Sequence, residues 1–330
     1  MEAENYTVVP FFIIKGISDI PKFQAPIFIL VLLIYLFALG GNISILLLVG
    51  IDSKLHNPMY FFLGNLSVLD ISSITVTLHK TLAIFLTGNK TLSFPDCITQ
   101  VYFFMALECT ELLILAAMSL DRYAAICNPL HYHMIMNPRA CVVLATICWL
   151  LGFMEVIPHT VIINSLSCYT SNEINHFFCD VLPLMKNSCS DTTLLRLWIV
   201  TEGVFISGVF PLLTTLLPYI FIIHAIFKIP STSGRRKAFY TCSSHVTLVI
   251  ILYLTLYCLY LTPPSEYTSD SHKLFSLFNT AAVPILNPLI YSLKNKDVKS
   301  AMKRQLHYMY CKIIYPFTLN LKKLQKHIES

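Results

Sequence analysis

From Phe23 to Ile51 the chain carries no Asp, Glu, Lys or Arg. A helix of that length in water needs a polar face, whereas a hydrocarbon slab about 30 Å thick takes about 20 such residues and absorbs the excess by tilt. Six further apolar stretches follow at about 57–79, 97–123, 140–163, 197–227, 238–262 and 273–292, each bounded by charge, proline or polar clusters. Across all 330 residues 55% are hydrophobic and only 12% charged, about half the charged share of a soluble domain. The expected fold is an all-α membrane protein, a seven-transmembrane helix bundle over 23–292. Residues 1–22 form an extracellular N-terminus, and 293–330 a cytoplasmic amphipathic helix and tail. The 17 prolines and the lack of long alternating segments argue against an outer-membrane barrel. No length remains for a soluble catalytic domain.

Lys15, Asp19 and Lys22 interrupt any apolar core ahead of the first span, so that span is read as its own insertion signal. The two sets of loops carry equal numbers of Lys and Arg. Lys294, Lys296, Lys299, Lys303 and Arg304, just past the last span, break the tie and place the C-terminus in the cytoplasm. Asn5-Tyr6-Thr7 is then a glycosylation acceptor on the outer side, as is Asn89-Lys90-Thr91. The same pattern at Asn42 and Asn65 falls inside spans, so position alone favours Asn5. Cys97 opens the third span, and Cys168, Cys179 and Cys189 crowd one outer loop. Four thiols in an oxidising compartment predict disulfides, with three pairings open.

Several long strings identify a family. Asp121-Arg122-Tyr123 ends the third span and Asn287-Pro288-Leu289-Ile290-Tyr291 the seventh, a pattern that resembles the rhodopsin-like G-protein-coupled receptors. Five strings are similar to odorant-receptor signatures: Leu55-His56-Asn57-Pro58-Met59-Tyr60-Phe61-Phe62-Leu63, Met118 through Tyr132, Lys237-Ala238-Phe239-Tyr240-Thr241-Cys242-Ser243-Ser244-His245, Pro284 through Lys296, and the outer-loop string His176-Phe177-Phe178-Cys179-Asp180. The resemblance spans about Asn5 to Arg304. It implies pairing of Cys97 with Cys179 and of Cys168 with Cys189, a small-molecule odorant bound within the bundle, and a stimulatory olfactory-type G protein that raises cyclic AMP. Three departures stand out: Pro218 precedes Tyr219 where the family usually has Ser, Leu254 replaces a common Gly after Tyr253, and the tail is longer.

Five acids lie at membrane depth, Asp70, Glu108, Glu111, Glu155 and Glu202, and each costs a few kcal/mol there unless paired, solvated or protonated. Without a Lys or Arg beside them in the bundle, neighbouring carboxylates call for a shared cation or a shared proton. Asp70 and Glu111 match the family's inner sodium site; the alternative is a protonated, hydrogen-bonded acid. On the third span Phe104, Met105, Glu108, Cys109 and Leu112 recur at helical spacing and share one face, which matches the family's ligand-contacting stripe. A carboxylate there could hold an ammonium, with Glu202 directed at the same cavity; a neutral volatile is the other reading. Val204, Phe205 and Gly208 with Tyr253, Tyr257 and Tyr260 complete the expected wall. Glu155 is read as pairing locally with His159, one turn on, or facing a helix partner.

Arg122 has five donors and the Asp121 carboxylate beside it, so it can be held locally and released. By resemblance, Tyr219 and Tyr291 turn inward to meet it as the sixth helix swings out, and Pro288 loosens the seventh. Arg235, Arg236 and Lys237 suit anionic headgroups or an acidic partner. Residues 294–306 place Val298, Ala301, Met302 and Leu306 near one stripe, as an interfacial helix at the lipid surface would, and Cys311 beyond it is a palmitoylation candidate. His56, His131, His133 and His245 lack metal-ligand spacing. No nucleic-acid partner, no cofactor other than the sodium ion and no enzymatic acid–base pattern is expected. The competing class is an ion-conducting or transport protein using the buried carboxylates.

Overall fold

A computed structural model describes residues 9–18, 20–166, 168–261, 269–309 and 312, with the side chains of 237, 241, 261, 269–270, 291–294 and 309 outside the description. Among the described residues seven helices are long and apolar enough to cross a membrane. They are α1 (Pro21–Ile51), α2 (Pro58–Thr87), α3 (Phe94–Cys127), α4 (Pro138–Asn164), α5 (Thr193–Phe227), α6 (Thr232–Tyr260) and α7 (Ser269–Lys294); α8 (Lys296–Met309) follows.

Local chemistry sets the helix starts. Asn57 and Asn137 each accept a bond from a backbone N–H three residues on, with Pro at the first helical position, where a missing N–H costs nothing. Ser93 caps α3 through the Asp96 N–H and donates to the Asp96 carboxylate at 2.6 Å. Helix α2 outruns its apolar stretch by a further two turns past His79 and Lys80. It ends at Gly88, whose φ of 71° is the left-handed cap that glycine supplies without strain. Helix α4 breaks after Glu155, two residues before Pro158, which has no N–H to continue the ladder. Two segments are π-helical, Glu202–Val209 within α5 and Tyr257–Leu261 at the end of α6. Helix α5 continues unbroken through Pro218.

Helix α3 runs through the middle of the bundle and packs against α2, α4 and α5. Gly152 of α4 lies so close to Thr110 of α3 that any Cβ there would collide with the Thr110 backbone. Large apolar side chains such as Leu33 and Phe210 remain about 60% exposed on the outer faces of α1 and α5, the surface that hydrocarbon covers in a membrane protein.

One end of the bundle carries a small sheet absent from the helical expectation. Strand β1 (Phe11–Ile14) pairs antiparallel with β2 (Thr91–Ser93) and parallel with β3 (Glu173–Ile174). Disulfides Cys97–Cys179 and Cys168–Cys189, with Cα atoms 5.4 and 5.2 Å apart, pin the same loop. At the opposite end Val298 and Ala301 of α8 are buried against the bundle while Met302 and Leu306 stay exposed. Arg304 of α8 donates to Asp52 Oδ2 through Nε at 2.9 Å and Nη2 at 2.7 Å.

Candidate functional site

A cavity of about 500 Å³ opens between α3, α5 and α6, within the size range of small-molecule sites. Phe104, Met105, Glu108, Cys109 and Leu112 all line it from α3. From α5 come Ile199, Glu202, Gly203, Val204, Ser207 and Gly208, and from α6 Tyr253, Leu254, Tyr257 and Tyr260. The outer loop adds Val181, and Phe178 of that loop meets the Phe104 ring edge-on at 5.0 Å. Leu254 and Tyr257 are more than half exposed although they line the cavity, so the wall between α5 and α6 is the thin one.

Phe205 is the exception among the expected wall residues: it is 65% exposed and does not line the cavity. The π segment is the reason. Bonding from i to i+5 rotates the side chains that follow relative to an α-helix, and it brings Ser207, five residues after Glu202, onto the Glu202 carboxylate. Ser207 therefore enters the site, which an α-helical count misses.

Glu108 is half-buried. Its Oε1 accepts from Asn279 Nδ2 of α7 at 3.3 Å, and Asn279 Oδ1 in turn accepts from Thr255 Oγ1 of α6 at 2.8 Å. Its Oε2 is buried without a hydrogen bond, as is the Tyr253 hydroxyl. Asn279 and Thr255 escape sequence reading, although a polar amide at membrane depth is itself a signal. Tyr260 donates to Asp180 Oδ1 at 3.3 Å and ties α6 to the roof. In that roof burial pushes the His176 imidazole well below its usual value, helped electrostatically by the neighbouring His272 and Lys273, and burial raises the Asp180 carboxyl.

The local Glu155–His159 pair expected from spacing does not form. His159 Nε2 lies 3.2 Å from Glu202 Oε2 instead, and Glu155 Oε1 accepts from Ser207 at 2.7 Å. The break after Glu155 turns the two residues toward α5 separately.

Below the cavity Asn287 Nδ2 spans both oxygens of Asp70, at 2.9 and 3.0 Å. Glu111 is buried beside them on α3, with Oε1 lacking a hydrogen bond. At the end of the bundle away from the sheet Arg122 donates to Asp121 Oδ2 through Nε at 3.1 Å and Nη2 at 2.5 Å, and Tyr132 donates to Asp121 Oδ1 at 2.8 Å. Tyr123 packs edge-on against Phe221. The Tyr219 hydroxyl is hydrogen-bonded to His245 Nδ1 at 2.7 Å, joining α5 to α6. Pro288 is buried in α7 against Gly41 of α1. Asn5, Cys311 and the Tyr291 side chain lie outside the described residues.

Comparison with known proteins agrees with this architecture. The family model described as olfactory receptor matches residues 31–308. Olfactory receptor 8U3 of Mus musculus is 42% identical over 94% of this chain and 97% of its own length. Olfactory receptor 5M10 of Homo sapiens is 43% identical over 95% and 99%. The crystal structure of squid rhodopsin superposes with a TM-score of 0.67 over 88% of this chain and 87% of that one at 18% identity, a likeness of fold. The chain therefore belongs to the olfactory receptor family, as a non-enzymatic, multi-pass membrane receptor for odorants with a small-molecule ligand and a G-protein partner.

Proposed function

We propose that this receptor takes an amine odorant into the cavity between α3, α5 and α6, with the ammonium against Glu108. The observation that carries this reading is the Glu108 carboxylate itself: one oxygen is held by Asn279 and the other is buried without a partner in a largely apolar chamber. An ammonium supplies the donors that oxygen lacks, and a buried charge without a partner is costly. The Tyr253 hydroxyl offers a second polar contact, with Phe104, Met105, Leu112 and Tyr257 giving apolar surface. Glu202 lines the same cavity but is already engaged by His159 and Ser207, so Glu108 is the better anchor.

A sodium ion is the second element of the reading. Asp70 and Glu111 are hard oxygen donors, and Glu111 Oε1 and Ser67 Oγ, the latter one turn before Asp70, are buried without hydrogen bonds. Asp70, Glu111 and Ser67 would hold the ion, which supplies positive charge to the pair. Asn287 keeps Asp70 oriented, so the ion favours the arrangement in which α2, α3 and α7 stay close. Release of Arg122 from Asp121, and of Tyr219 from His245, then frees the cytoplasmic ends of α3, α5 and α6 to receive the G protein. The partner is a stimulatory, olfactory-type G protein that raises cyclic AMP, reached from a cytoplasmic C-terminus with the N-terminus outside.

A cyclic AMP reporter assay across a chemically broad volatile panel tests this function. Amines are expected to lead the response, with no response in cells lacking the stimulatory G protein. Labelling of an N-terminal epitope on intact cells tests the orientation; labelling only after permeabilisation of cells with receptor at the surface would reverse it.

A further inference from the structure

We propose that Cys109, Glu155 and Glu202, with His159 beside Glu202, form a binding site for a divalent cation of the zinc class in the wall of the cavity. One ligand atom from each of Cys109, Glu155 and Glu202 lies within 4.8 Å of the others. A tetrahedral zinc ion with bonds of 2.0–2.3 Å sets its ligands about 3.5 Å apart, so a small inward movement closes this set. His159 stands beside this set, against Glu202. His159 is fully buried, its Nε2 lies 3.2 Å from Glu202 Oε2, and its Nδ1 is buried without a hydrogen bond. Glu155 and His159 are four residues apart on α4, Cys109 comes from α3 and Glu202 from α5, so three helices converge on one point.

The wiring of Ser207 leaves one carboxylate oxygen without a donor, a place that a cation would fill. Its hydroxyl lies within hydrogen-bonding distance of both Glu155 Oε1 and Glu202 Oε1. A hydroxyl has one proton and can donate to only one of them, so the other carboxylate oxygen faces an oxygen lone pair. Among the described residues His159 is the nitrogen base beside this cluster, and no Lys or Arg is paired with it. A divalent ion neutralises both carboxylates at once. The mixture of sulfur, imidazole nitrogen and carboxylate oxygen selects zinc over calcium or magnesium, which take oxygen ligands. Because Cys109, Glu202 and Ser207 also line the cavity, the ion cross-links α3, α4 and α5 while facing the chamber an odorant occupies.

The test uses the full-length receptor in detergent, stripped with chelator and dialysed against buffered micromolar zinc. One ion per receptor is expected, with an X-ray absorption spectrum showing a sulfur neighbour at about 2.3 Å. Cys109→Ser should remove that sulfur shell, and Glu155→Gln should weaken zinc binding at least about tenfold. A wild-type receptor that retains no zinc, as expected if the carboxylates share a proton, would overturn the proposal. So would zinc bound without a sulfur neighbour, a result that needs no variant to fold. Zinc binding identical in Cys109→Ser and Glu155→Gln would equally overturn it. These readouts are independent of odorant response, so a receptor silent to amines leaves them intact.

Discussion

Asn279 of α7 donates to Glu108 Oε1 of α3 at 3.3 Å while its carbonyl oxygen accepts from Thr255 of α6 at 2.8 Å. One side-chain amide thus joins Glu108, the proposed ligand anchor on α3, to α6. Occupation of Glu108 by a cation changes the charge that Asn279 faces, and movement of α6 changes what its carbonyl meets. Asn279→Ala should lower agonist potency roughly tenfold, the worth of a hydrogen bond to a charged group, as read in cyclic AMP dose–response curves. An unchanged curve would remove Asn279 from the relay.

Arg122→Ala should abolish G-protein coupling at normal surface expression while ligand binding persists. The Asp121 carboxylate keeps Tyr132 as a donor when Arg122 is lost, so the helix end stays ordered. Normal cyclic AMP production by this variant would contradict the switch.

The bond between Tyr219 and His245 holds α5 to α6. Its net worth of about 1 kcal/mol corresponds to a shift of about fivefold in a two-state equilibrium. Replacement of His245 by Phe should therefore raise ligand-independent cyclic AMP by up to roughly fivefold. Basal activity at or below wild type would show that the bond does not favour the resting arrangement.

The Arg304 guanidinium, by its hydrogen bonds, holds the Asp52 carboxyl below its ordinary value of 3.8, aided by the Lys54 backbone and charge. A depressed carboxyl stabilises the folded state fully above the unfolded value, and the contribution disappears as pH falls through the folded one. The melting temperature of purified receptor should thus fall more steeply below about pH 4 in wild type than in Asp52→Asn. Parallel profiles would show that this pair does not fasten α8.

Much of the bundle is legible in the sequence because the hydrocarbon environment imposes one rule on every span. Phe104, Met105, Glu108, Cys109 and Leu112 obey helical spacing and share the cavity face. Phe205 and Ser207 defeat that count because the π segment from Glu202 to Val209 rotates the face. His159 meets Glu202 rather than Glu155 because a contact between α4 and α5 outweighs the local one. The sheet of β1, β2 and β3 escapes notice since its partners are far apart in sequence and each strand is too short to show alternation.

Sodium offers a test of Asp70 and Glu111 that needs no odorant. Replacing sodium by a bulky organic cation should raise basal cyclic AMP in membranes from wild type, and Asp70→Asn should flatten that dependence. Equal sodium sensitivity in both would remove the ion from this pair.

The most direct measurement compares wild type and Glu108→Gln in cyclic AMP dose–response curves for amines and their matched alcohols. Loss of the buried charge partner should weaken the amines at least about 30-fold and leave the alcohols within about threefold. Undiminished amine responses in Glu108→Gln would contradict the assignment of this carboxylate as the ligand's anchor.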